Sequence, residues 1–120
     1  VTVLLVALGA AAGAPLRYVT DRFIQSRVDA VFPWGTLGVN VVGSFVVGVV
    51  TAASVEGRLN EDMVALIAVG FCGALTTYST FSYETLRLFE DGARWYAFGN
   101  VVVSILAGVA AASAGWALAS

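Results

Sequence analysis

Four long apolar runs alternate along the chain with three short zones where the charges collect. The runs are Val1 to Leu16, Phe32 to Val55, Met63 to Tyr83 and Trp95 to Leu118. The charged zones are Arg17 to Asp29, Glu56 to Asp62 and Glu84 to Arg94. A helix needs about 20 residues to cross the core of a bilayer, and each run comes close to that length. The pattern therefore predicts an all-α integral membrane protein of four transmembrane helices, with approximate spans 1–19, 32–55, 63–88 and 95–118 in a single membrane domain over 1–120. The first run has small residues around Ala12 to Ala14 that resemble a signal-peptide processing site. It lacks a basic leading segment and three more apolar runs follow, so it is read as a span. Since no methionine opens the sequence, we expect residues to precede Val1.

Composition closes off the water-soluble alternative. With 59% hydrophobic and 12% charged residues and a mean hydropathy of +0.88, the chain has too few polar groups to coat a soluble domain. There is no histidine, so the usual general base and commonest transition-metal ligand are missing. The single cysteine, Cys72, cannot form an intrachain disulfide and reads as a small packing residue. No pairing of nucleophile with base and no metal-ligand cluster supports catalysis, and the chain is read as a non-enzyme.

The third run breaks its own pattern. GFCGALTTYSTFSYE, Gly70 to Glu84, puts Thr76, Thr77, Ser79, Thr80 and Ser82 on every side of a helical wheel. Unpaired polar groups in hydrocarbon cost several kcal/mol each, so such a cluster faces a protein interior or a conduction path. Either the hydroxyls bond back to carbonyls one turn earlier, or the helix is broken near residues 76–79. A break frees carbonyls that can bind a cation, and it survives at membrane depth only where protein or water covers it. Tyr78 and Phe81 stand three apart; their ring edges are electropositive and could hold an anion, or the pair could simply pack. Glu84 closes the run, where a glutamate is ordinarily solvated.

Elsewhere the polar residues are sparse. Asn40 lies about two turns inside the second span, which opens with Pro33 and the interfacial Trp34. Its amide must find an interhelical partner or line a pore. Asn100 and Ser104, at i and i+4 in the fourth span, either continue a polar track or bond to a neighbouring helix. Gly9 and Gly13, and Gly43, Ser44 and Gly48, lighten one side of the first two spans and allow close backbone approach, within or between subunits. Four helices enclose little interior, so the polar surfaces are expected to meet a second subunit.

Three motifs in order carry a resemblance that spans the chain. GAAAGAPLRY (Gly9 to Tyr18), PWGTLGVNVVGSFVVG (Pro33 to Gly48) and GFCGALTTYSTFSYE resemble the first, second and broken third helices of the Fluc (CrcB) family of fluoride channels. The resemblance implies a passive, fluoride-selective channel in the cell membrane that exports fluoride and protects against its toxicity. It implies an antiparallel dimer with two pores, each lined by both subunits. Carried over, Asn40 is the pore-lining amide, Tyr78 and Phe81 are the paired aromatic positions, and Thr77, Ser79 and Thr80 supply hydroxyls. Glu84 sits toward the pore's end, and Asn100 and Ser104 align with the fourth-helix polar track. Arg17 matches the entrance arginine, attracting anions or packing against the other subunit. Gly73 and Thr76 match the positions whose carbonyls hold a structural Na+ at the dimer centre. One position departs from the family: the first aromatic, normally phenylalanine, is Tyr78.

Charge bias adds a reading of orientation. Arg17, Arg22, Arg27, Arg87 and Arg94 belong to the first and third loop zones, and only Arg58 to the second. The positive-inside rule then puts both termini outside the cytoplasm. A homodimer made by insertion in both orientations should show little bias, so the alternative partner is an oppositely oriented homologous subunit. A non-conducting scaffold subunit is a further alternative, which would account for both Tyr78 and the bias. A small multidrug-resistance exporter has similar length and span number but needs a glutamate in the first span, and Val1 to Leu16 has no charge.

Overall fold

The computed structural model describes residues 1–28 and 31–120; Asp29, the last charge of the first charged zone, lies outside them. The described residues form helices α1 (Thr2–Arg27), α2 (Trp34–Val55), α3 (61–75), α4 (Tyr78–Glu90) and α5 (Arg94–Ala119). Helices α3 and α4 share one crossing, so four segments are long and apolar enough to span a membrane. The molecule measures 48 × 28 × 23 Å, long enough for a hydrocarbon core of about 30 Å and part of both interfaces. α1 runs about three turns beyond its apolar run, carrying Arg17, Asp21, Arg22 and Arg27 on helix rather than on loop.

Helix ends are set by local chemistry. Pro33 opens α2 without a side-chain cap, and the Gly35 N–H is satisfied from outside by Gln25 Oε1 of α1 at 2.9 Å. Asn60 caps α3 by accepting from the Met63 N–H at 2.9 Å, with Glu61 and Asp62 in the first turn against the helix dipole. α2 ends at Gly57, whose φ of 77° permits the Arg58 N–H to reach back to the Ala53 carbonyl at 2.9 Å. Gly92, with φ 84°, ends α4 in the same way. Arg58 turns back onto the Ala119 carbonyl, tying the α2–α3 loop to the end of α5.

The bundle is held by two close seams, α2 with α5 and α1 with α3. Glycine makes both. A Cβ on Gly9 would collide with the Leu66 carbonyl, and one on Gly13 with the Phe71 carbonyl, so the GAAAG stripe packs within the subunit against α3. Across the other seam, a Cβ on Gly48 would meet the Ala112 backbone and one on Gly115 the Phe45 carbonyl. With lipid as apolar as any side chain, such close backbone contact supplies dispersion and not hydrophobic drive. Between its first and last turns α3 winds as a π-helix over Ala65–Cys72, where Gly70 meets the Val6 backbone of α1. Val39, Asn100 and Cys72 are the largest fully buried side chains among the described residues, while Leu4, Leu8, Ile105 and Leu106 face outward.

Candidate functional site

The helical path stops between α3 and α4. Thr76 (φ −80°, ψ 159°) and Thr77 (φ −150°, ψ 115°) take extended backbone. A continuous helix would send the Thr77 N–H to the Gly73 carbonyl and the Thr80 N–H to the Thr76 carbonyl. Here the Thr77 N–H donates to Asn40 Oδ1 at 2.8 Å, and the Thr80 N–H donates to Thr77 Oγ1 at 3.1 Å. The carbonyls of Gly73 and Thr76 thereby lose their usual donors. Asn40 completes a two-bond clamp, its Nδ2 donating to the Thr77 carbonyl at 3.3 Å. One side chain on α2 thus satisfies both backbone groups of the residue at the break, as membrane depth requires.

Hydroxyls consolidate the segment. Thr77 caps α4 and its Oγ1 donates to Thr80 Oγ1 at 2.9 Å, with Ser79 Oγ 3.4 Å away. Thr76 Oγ1 bonds back to the Cys72 carbonyl at 2.8 Å, while its methyl packs where a Cβ on Gly43 would fall. Back-bonding and interruption therefore coexist at Thr76.

Beside the break lies a cleft of about 480 Å³, lined by Asn40, Ser44, Thr77, Tyr78, Phe81 and Ser104 among others. Thr36, Asn40 and Ser44 are spaced i, i+4, i+8 and form a polar stripe along α2. Tyr78 and Phe81 have ring centroids 6.1 Å apart at 40°. Tyr78 is 81% exposed, and its hydroxyl has no hydrogen-bond partner among the described residues. Gly73 and Ser79 are also exposed.

A second, smaller cavity of about 190 Å³ lies between α1, α2 and α4, lined by Arg17, Asp21, Thr36, Thr77 and Thr80. Thr77 borders both spaces. Glu84 lies near Thr36 and Asp21, and Asp21 Oδ1 and Glu84 Oε1 are buried without hydrogen-bond partners among the described residues. The candidate residues thus divide: Asn40, Thr76, Thr77, Tyr78, Phe81 and Ser104 meet at the large cleft, while Arg17, Thr77 and Thr80 meet at the small one, with Glu84 nearby. Asn100 belongs to neither. It is buried, donating to Thr85 Oγ1 at 2.8 Å and accepting from Ser104 Oγ at 3.3 Å. Thr36, Asp21 and Thr85 escaped the reading of the sequence, and Ser44 entered it only as a small packing residue; for Thr36 and Ser44 the signal was their spacing of four from Asn40.

These features define a small four-span membrane protein whose polar cleft is built at an interrupted helix. The chain belongs to the CrcB family: the family's description, "CrcB-like protein, Camphor Resistance (CrcB)", matches residues 4–116. It is 58% identical to the fluoride-specific ion channel FluC 1 of Streptomyces avermitilis over 112 residues, 93% of this chain and 90% of that protein. It is likewise 58% identical to FluC 1 of Frankia casuarinae over 121 residues, 97% and 94% of the two chains. The fluoride-specific ion channel FluC of Thermus thermophilus is 45% identical over 107 residues, 86% of this chain and 84% of its own.

Proposed function

We propose that this protein is a passive, fluoride-selective channel that releases fluoride from the cytoplasm, using the cleft at Thr76 and Thr77. The observation that carries the reading is the Asn40 clamp, which holds a polar, hydroxyl-lined break open at membrane depth, in a chain whose relatives are named fluoride-specific channels. Fluoride gives up its water only where aligned donors replace it. One hydrogen of Asn40 Nδ2 is committed to Thr77; the other is available to an anion. Ring edges of Tyr78 and Phe81 and the hydroxyls of Ser44, Ser79, Thr80 and Ser104 add weak, distributed contacts, which let the ion leave as well as enter. Arg17 and Glu84 mark the approach at the smaller cavity. Hydrogen fluoride crosses membranes as a neutral acid and ionises in the cytoplasm, and a membrane potential negative inside drives the anion out.

The working unit in this proposal is an antiparallel dimer in the cell membrane. The exposed ring of Tyr78 at the cleft and the exposed Gly73 and Ser79 close to the break in sequence support it, since a second subunit would cover them. The carbonyls of Gly73 and Thr76, deprived of helical donors, are hard oxygen ligands suited to Na+, and a second copy would double their number at the interface. These residues would hold the ion, which would neutralise the exposed carbonyl dipoles.

A second reading concerns the partner. Arg17, Arg22, Arg27, Arg87 and Arg94 fall at the end shared by α1's C-terminus and α5's N-terminus, and Arg58 at the other. That bias favours one orientation, with termini outside the cytoplasm, and hence an oppositely oriented homologous subunit. Efflux from fluoride-loaded liposomes tests both readings, with chloride as the comparison ion. Fluoride flux from the chain alone supports self-pairing; flux only with a homologue supports the mixed dimer; equal chloride flux refutes selectivity.

A further inference from the structure

Away from the polar cleft, α4 and α5 diverge to leave a groove of about 510 Å³. Its walls are mostly apolar: Leu86 and Phe89 from α4, Ala97, Phe98 and Val101 from α5, and Phe81 at the inner end, with Ser82 and Thr85 the hydroxyl residues among them; the Thr85 hydroxyl is already bonded to the Phe81 carbonyl and Asn100. At the mouth stands Arg94, the first residue of α5, its guanidinium 5.8 Å from the Phe89 ring centroid. Among the described residues no carboxylate lies within 4 Å of Arg94; the ion pairs found are Arg58 with Glu56 and Arg87 with Asp91. The next two residues of the same turn, Trp95 and Tyr96, are 86% and 53% exposed, amphipathic rings of the kind that favour the headgroup level.

From Arg94 to Val101 the helix climbs about 10 Å, roughly two thirds of the ~15 Å depth of one hydrocarbon leaflet. A cation at headgroup height above an apolar slot of that depth matches one amphiphile. We propose that this groove binds an anionic phospholipid, its phosphodiester on Arg94 and the upper part of one acyl chain between α4 and α5. Charge complementarity between the phosphodiester and Arg94 favours this occupant over an apolar helix of a second copy; an antiparallel copy that brings its Glu56, Glu61 or Asp62 to the guanidinium is the competing occupant that the test separates. The arginine-rich end is also the one the positive-inside rule assigns to the cytoplasmic leaflet, where anionic lipids attract basic residues. The inner end of the groove meets the ring of Phe81, whose other side lines the polar cleft. A lipid chain here would back one wall of the ion's proposed route, although its binding stands independently of conduction.

Native mass spectrometry of the detergent-solubilised protein, titrated with phosphatidylglycerol or phosphatidylcholine of identical chains, tests the site. Phosphatidylglycerol should bind more tightly, and Arg94→Gln should weaken it about tenfold, the loss of one charge-assisted bond. Arg58→Gln, at the opposite end, should change nothing. Ala97→Leu should weaken both lipids by filling the slot, and water-soluble glycerophosphoglycerol should not compete. Equal binding of the two lipids, or Arg94→Gln with undiminished phosphatidylglycerol affinity, overturns the proposal. So does an Ala97→Leu protein that loses self-association while its lipid binding is unchanged, because the groove would then belong to a second copy.

Discussion

The glycine seams and the break at Thr76–Thr77 solve opposite problems in the same thin bundle. Along α2–α5 and α1–α3, backbones touch wherever Gly48, Gly115, Gly9 and Gly13 remove a Cβ, and no polar side chain is needed. At the break, backbones separate and Asn40, Thr77 and Thr80 must supply by side chain the hydrogen bonds the helix gave up. The seams carry stability, and the break gives up some of it to keep a polar space. α2 serves both: Gly48 faces the seam, and Asn40 and Ser44 face the cleft.

That division can be broken from either side. The largest effect is expected at the seam, where Gly48→Val places a branched side chain against the Ala112 backbone, which cannot yield. Overpacking costs about 1–3 kcal/mol and more where backbone blocks relaxation, so size-exclusion chromatography should show loss of monodisperse protein. Next comes Asn40→Ala, which strands the Thr77 N–H and carbonyl. Each unsatisfied buried group costs about 1–3 kcal/mol, so hydrogen exchange at the Thr77 and Tyr78 amides should accelerate by at least tenfold while the seams stay protected. Thr77→Val removes the α4 cap at a cost of about 1 kcal/mol. It should lower the thermal midpoint by a few degrees, with Thr77→Ser restoring it. The smallest change is expected for Tyr78→Phe: the phenol is exposed and unbonded, so stability should move by less than about 0.5 kcal/mol and fluoride flux by less than about twofold. A larger flux change would give the Tyr78 hydroxyl a role at the ion.

Much of the seam side was legible in the sequence. Four apolar runs gave the four crossings, because hydropathy in lipid is a local property. The glycine spacing announced close packing, but its partner is tertiary: Gly9 finds Leu66 on α3, which no spacing within the first span encodes. The polar cluster was visible as a cost, and its hydroxyls left back-bonding and interruption both open. Thr76 does the first and sits at the start of the second. What could not be read was the agent of the clamp, since Asn40 and Thr77 lie 37 residues apart. The same holds for Asn100, whose burial against Thr85 follows from how α4 crosses α5. The π winding of Ala65–Cys72 had no signal in residue type.

Fluoride efflux from proteoliposomes, comparing the wild-type chain with Asn40→Ala at equal density of folded protein, tests most directly whether ions pass at the clamped break. The homologous partner is included if the chain alone is silent. Rapid fluoride release from wild type with chloride retained is expected, with at least about tenfold slower release from the variant. Undiminished fluoride flux through Asn40→Ala would contradict passage at the break.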